Sequence, residues 1–91
     1  MKVLIVCTGN TCRSAMAEGY LKTLLPGCDV SSAGTYACNG DGASTLAVEV
    51  MRDVDVDISG HLSRRVTREI LDNSELILCV TEGHCRVLCD D

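Results

Sequence analysis

The chain alternates between two hydrophobic periods. Residues 3–6 are an unbroken apolar run, Val-Leu-Ile-Val, of the kind that forms a strand buried on both faces of a parallel sheet. Beyond a polar, glycine-containing stretch, Met16, Tyr20, Leu21, Leu24 and Leu25 recur at helical spacing, and Pro26-Gly27 stops that helix. A second short strand is expected to begin at 30–32. Asn39-Gly40-Asp41-Gly42 forms a polar loop, after which Ala43, Leu46, Ala47, Val50, Met51 and Val54 mark a second amphipathic helix. Residues 53–58 alternate acid and aliphatic and read as an extended connector. A short helix is expected at 67–71, a buried strand at 76–80 and at least a helical turn from 82 onward. Strands alternating with helices predict an α/β fold with a doubly wound parallel sheet, which binds its ligand at the carboxyl ends of the strands.

Composition narrows this picture. Ninety-one residues make one small domain, 1–91, and with neither Trp nor Phe its core must come from aliphatic residues, Ala, Met and Cys. A net charge of −5 argues against general binding to nucleic acid or to an anionic membrane. Arg64, Arg65 and Arg68 are most simply the solvated face of a helix. The opening apolar run is too short for a signal peptide and no later stretch approaches a membrane span, so the expected location is cytoplasmic. Seven cysteines, an odd number without a targeting segment, read as reduced thiols.

The chemistry is concentrated between the first strand and the first helix, in Cys7-Thr8-Gly9-Asn10-Thr11-Cys12-Arg13-Ser14. An oxyanion held there meets the N–H groups of a curved loop, the positive end of a helix dipole and a guanidinium able to bind two oxygens. The same field favours an anionic sulfur, which makes Cys7 the candidate nucleophile. Ser14 can donate its hydroxyl to that thiolate, and Gly9 lets the backbone turn where a side chain would obstruct it. In-line attack on a bound phosphate would give a phosphocysteine. Cys7 and Arg13 are therefore the candidate catalytic pair, and Thr8, Gly9, Asn10, Thr11, Cys12 and Ser14 the candidate phosphate-binding loop. A lone cysteine and arginine at this spacing would often be plain packing and a surface charge. Gly9, Asn10 and Ser14, set between a clear strand and a clear helix, favour the phosphate site.

The run CTGNTCRSAMAE resembles the nucleophile loop of the low-molecular-weight protein tyrosine phosphatase family, including its protein arginine phosphatase branch. The likeness continues through Ser31-Ser32-Ala33-Gly34-Thr35, then Asp57-Ile58-Ser59-Gly60-His61 with Arg64, and finally Glu75-Leu76-Ile77-Leu78 and Thr81-Glu82-Gly83-His84. It implies a phosphorylated protein as substrate, no cofactor and no metal. It also implies that Asn10, Ser14, Ser32 and His61 form the hydrogen-bond network that supports the loop, and that Arg64 lies near the site. Thr11 resembles the arginine phosphatases, where tyrosine phosphatases usually carry a larger aliphatic residue. Ala15 and Val80 stand where the family commonly has proline and methionine.

The family's general acid is an aspartate in an Asp-Pro loop, which protonates the leaving group and then activates water. The one proline here is Pro26, and no Asp-Pro occurs. The resemblance therefore implies a short form of the fold without the final strand and helix, with the general acid unknown. Asp90 and Asp91 are poor substitutes at a frayed end. Impaired turnover with an accumulating phosphocysteine is expected, and an unfinished sheet edge would favour a homodimer.

The other cysteines admit rival readings. Cys12 can close a protective disulfide with Cys7, a device the family uses, or be buried on the first helical turn. Cys28 reads as a strand-edge residue. Cys79, Cys85 and Cys89 raise thioredoxin-coupled arsenate reductases, which share this fold and loop and add relay thiols after the third strand. The phosphatase-like turn at 81–84 favours the phosphatase over that alternative. A zinc site of His84, Cys85 and Cys89 has no second ligand pair, so a buried helical face is the simpler reading. A noncatalytic phosphate-binding module would use the same loop residues.

Overall fold

The computed structural model describes residues 1–80; the helical turn expected from 82 lies outside them. Three parallel strands, β1 (Lys2–Cys7), β2 (Asp29–Gly34) and β3 (Leu76–Cys79), lie in the order β2-β1-β3. Helices α1 (Arg13–Leu24), α2 (Thr45–Arg52) and α3 (Arg68–Asp72) connect them. Central β1 is hydrogen-bonded on both sides and packed on both faces, which accounts for its apolar run: every residue from Val3 to Cys7 is buried. The chain leaves β1 to one side for β2 and returns to the other side for β3. Cys7 stands at that reversal, the topological switch point of the sheet.

Both faces of β1 and β2 are covered. Val3, Ile5 and Val30 pack with Ala17, Leu21 and Cys28, while Leu4, Val6 and Ala33 meet Val66, Ile70 and Leu71 on the opposite face. Ala15, Ala47, Met51, Val56 and Ile58 form a third cluster joining α1, α2 and the 53–58 connector. The connector thus contributes alternate aliphatic residues to the core without becoming a strand. Helix starts follow local capping: the Ser44 hydroxyl accepts from the Ala47 N–H at 3.2 Å, and that of Thr67 from the Ile70 N–H at 3.1 Å. Among the described residues no helix is long and apolar enough to cross a membrane.

Four expectations need correction. The strand expected to be buried at 76–80 ends at Cys79, and Leu76, Ile77 and Leu78 are 36–42% exposed; among the described residues β3 pairs with β1 alone. Arg64, Arg65 and Arg68 do not share a helical face. Arg64 and Arg65 precede α3 and run beside β2, the Arg64 carbonyl accepting from the Gly34 N–H at 2.9 Å. Cys12 is not buried on the first turn but exposed, as the residue that precedes it. Finally, Cys79 is disulfide-bonded, whereas Cys7, Cys12, Cys28 and Cys38 are free.

Gly34 is where β2 meets the loop after β1. A Cβ there would collide with the Thr8 carbonyl oxygen and lie 2.8 Å from the Ala37 Cβ. Thr8 is held by the Tyr36 N–H, which donates to its carbonyl at 3.0 Å, and Ala37 is buried. Gly34→Ala is therefore expected to destabilise the fold by about 1–3 kcal/mol. Urea unfolding checks this, and an unchanged midpoint would show that the contact relaxes freely.

Candidate active site

The loop from Cys7 to Ser14 is built around Asn10. Its φ of 57° lies in the left-handed region, where asparagine is among the residues tolerated best, and its side chain is fully buried. The Asn10 N–H donates to Cys7 Sγ at 3.2 Å. Its Nδ2 donates to the hydroxyls of Ser14 and Ser32, both at 2.8 Å, and its Oδ1 accepts from the Arg64 N–H at 2.9 Å. Its carbonyl accepts from His61 Nε2 at 2.6 Å, which fixes the proton on that ring nitrogen. Every polar group of one residue is thus committed.

These bonds have a direction. Because Ser14 Oγ accepts from Asn10, its own proton is available to Cys7 Sγ, 2.7 Å away. Likewise Ser32 accepts from Asn10 and donates to Glu18 Oε1 at 2.7 Å. The arrangement orients two donors, the Asn10 N–H and the Ser14 hydroxyl, toward the sulfur, which suits a thiolate. Glu18 Oε2 accepts from Lys22 Nζ at 3.0 Å, so one carboxylate holds both Ser32 and Lys22, with His61 Nδ1 3.9 Å away.

The loop's carbonyls are tied elsewhere. Those of Cys7, Thr8, Thr11 and Cys12 accept from the N–H groups of Thr35, Tyr36, Ser44 and Met16 at 2.8–3.0 Å. Carbonyl oxygens that would repel an anion are thereby engaged. No side chain caps the start of α1 at Cys12, which leaves a helix N-terminus beside the thiol. Arg13 is the first residue of α1; its side chain is exposed and has no hydrogen-bond or ion-pair partner among the described residues. The geometry can hold a tetrahedral oxyanion against a buried sulfur.

A family model described as low molecular weight phosphotyrosine protein phosphatase matches residues 2–91. The chain belongs to that family. The Wzb low molecular weight protein-tyrosine-phosphatase of Escherichia coli is 38% identical over 88 residues, covering 97% of this chain and 60% of that protein. An arsenate reductase of Staphylococcus aureus is 39% identical over 90 residues, covering 94% of this chain and 66% of its own length. Among solved structures, a YwlE arginine phosphatase mutant with a phosphorylated active-site serine superposes with a TM-score of 0.94 at 32% identity, covering 99% of this chain and 61% of that one. The chain thus spans roughly half to two thirds of the length of its curated relatives.

Of the residues expected to matter, Cys7, Asn10, Ser14, Ser32 and His61 come together in one hydrogen-bonded set. Thr8 and Gly9 are exposed on the loop, and Thr11 is half-buried. Glu18 was missed, although Ser14 and Glu18 at i, i+4 share a face of α1 and so carried a signal. Arg64 enters through its backbone N–H, which no sequence pattern announces. His84, Cys85 and Cys89 lie outside the described residues, as do the turn at 81–84 and Asp90 and Asp91. Among the described residues no group of His, Cys, Asp or Glu could hold a metal ion.

Two outcomes follow from this geometry. Asn10→Ala leaves several buried donors and acceptors without partners, and is expected to cost about 3 kcal/mol in urea unfolding and to weaken vanadate binding. A cost below about 1 kcal/mol would mean that the network re-forms without it. Separately, the Ser59 hydroxyl and N–H hold the Asp57 carboxyl below its ordinary range. A depressed value favours the folded state above the unfolded carboxyl pKa, and that contribution fades as pH falls through the folded value. Ser59→Ala should move the Asp57 titration upward in NMR; an unmoved titration contradicts the assignment.

Proposed function

We propose that this chain is a cysteine-dependent protein phosphatase acting on phosphorylated protein side chains through a phosphocysteine. The observation that carries the reading is the pair of donors aimed at Cys7 Sγ, the Ser14 hydroxyl at 2.7 Å and the Asn10 N–H at 3.2 Å. They hold a thiolate as the nucleophile while Arg13 and the start of α1 take the phosphate oxygens. A sulfur–phosphorus bond forms as the phosphorus–nitrogen or phosphorus–oxygen bond to the leaving group breaks, and water then attacks the phosphocysteine.

Thr11 favours phosphoarginine over phosphotyrosine, since a hydroxyl suits a phosphoramidate and leaves less apolar surface for an aryl ring. The leaving group and the attacking water both require proton transfer. Among the described residues Glu18 is the one carboxylate in the loop's network, and it is committed to Ser32 and Lys22. Turnover by these residues is therefore slow, and slowest for phosphoarginine, because a guanidine leaves poorly unless protonated. We assign the chain one domain over 1–91 and a cytoplasmic location, where the thiol stays reduced. The exposed β3 edge suits pairing with a second copy.

A second reading is favoured by Cys79, a disulfide-bonded cysteine at the end of β3, and by the likeness to the Staphylococcus aureus arsenate reductase. In that reading Cys7 attacks arsenate, two thiols supply the two electrons, and arsenite and water leave as a disulfide forms.

Acid-quenched mass analysis of the chain with an aryl phosphate is expected to show one added phosphoryl group on Cys7. Cys7→Ser should end turnover while keeping vanadate or phosphate binding, and Arg13→Ala should abolish both. Unchanged turnover in Cys7→Ser would remove the nucleophile assignment. Arsenite release with a newly formed disulfide, and no phosphoenzyme, would select the reductase.

A further inference from the structure

Behind the loop, between α1 and the segment that carries His61, lies a cavity of roughly 470 Å³. Its lining includes Glu18, Ser32, His61 and Arg64, the same residues that fix Asn10, together with Lys22, Asp55 and Asp57. The floor is apolar, with Gly19 packed so closely against Val56 and Ile58 that a Cβ there would lie 3.2 Å from Val56 Cγ1. A concave space of this size with an apolar floor and a few charged groups has the anatomy of a small-molecule site.

The charges are unevenly satisfied. Glu18 has Lys22, whereas the half-buried Arg64 side chain is anchored by Nε alone, which donates to the Ser32 carbonyl at 2.9 Å. Its two terminal nitrogens have no partner among the described residues, and a guanidinium fork of that kind suits a carboxylate or a phosphate. Asp55 and Asp57 come from a different segment and make no ion pair among the described residues; Asp57 accepts from the Ser59 N–H and hydroxyl and is favoured in its charged form by Arg52, whereas Asp55 has no such hydrogen bond, so the cavity also offers negative charge, most openly at Asp55. A simple anion would meet those acids and a simple cation would meet Arg64. Only a ligand bearing both signs satisfies the two sides.

We infer that this cavity binds a small zwitterion, its anionic group on the Arg64 terminal nitrogens and its ammonium on Asp55 or Asp57, and that occupancy reaches the nucleophile loop. The route is short. Arg64 donates its backbone N–H to Asn10 Oδ1 at 2.9 Å while its guanidinium holds the Ser32 carbonyl, so a ligand that immobilises Arg64 stiffens both supports of Asn10. The consequence for turnover rests on the phosphatase reading; the binding itself does not.

The isotope-labelled chain, with vanadate added to keep carboxylates out of the loop, is titrated by NMR with β-alanine, γ-aminobutyrate and δ-aminovalerate. Butyrate and butylamine serve as single-charge controls. At least one zwitterion is expected to give saturable shifts at the Gly60, His61 and Asn10 amides, with both controls about tenfold weaker or more. Asp55→Asn with Asp57→Asn, both exposed and outside the loop network, should weaken binding by a similar factor. No saturable shift, equal binding of butyrate, or an unaffected double variant would each overturn the site. Shifts at Gly60 and His61 that leave Asn10 unmoved would overturn the coupling. Failure of vanadate to bind would count against the phosphatase reading alone, because the Gly60 and His61 amides report the cavity directly.

Discussion

The fold turns on one residue held in a conformation that few residues accept. Asn10 sits at a φ of 57°, and its side chain has no exposure to water. A non-glycine residue in the left-handed region costs energy that its surroundings must offset. Here the offset is explicit: two hydroxyls, the backbone N–H of Arg64, the Cys7 sulfur and an imidazole all engage Asn10. Glycine would accept the angle but could not form the side-chain bonds. Alanine could do neither comfortably. The shape of the oxyanion loop is thus a property of the side chains of Ser14, Ser32 and His61 as much as of the loop's own backbone.

Much of this was legible in the sequence, and the reasons differ by element. β1 was readable because a central strand needs apolar residues at every position, and four in a row leave little ambiguity. The grouping of Cys7, Asn10 and Ser14 with Ser32 and His61 was readable because a loop of this shape restricts residue type at each place. β3 misled because Leu76, Ile77 and Leu78 have the composition of a buried strand, while among the described residues they lie at the edge of the sheet. Arg64 misled because periodicity concerns side chains, and its first contribution is a main-chain N–H. Cys79 was counted among the thiols on compartment arguments, which describe the average protein and not the pairing of one cysteine.

The same network explains why the site belongs to the sheet rather than to a loop that happens to contain a cysteine. Thr35 and Tyr36, just past β2, bind the carbonyls of Cys7 and Thr8, and Ser44, which caps α2, binds that of Thr11. Gly34 permits the close approach of β2 to the Thr8 carbonyl that Tyr36 binds. Each tie uses a residue where a regular element begins or ends, so the rigidity of strands and helices is transmitted to a stretch with no regular structure of its own. A site so supported needs little rearrangement to receive an anion.

The bonds that shape the thiol's surroundings also span long stretches of chain. Ser32 is 22 residues from Asn10, His61 is 51 and Arg64 is 54. Ser32 follows soon after the loop, but His61 and Arg64 cannot reach it until more than fifty further residues have been made and have closed those distances. During synthesis, and in any unfolded molecule, Cys7 is therefore an ordinary cysteine among polar residues. Its reactive surroundings are a late product of folding, so the chain passes through its most vulnerable period before its thiol acquires them.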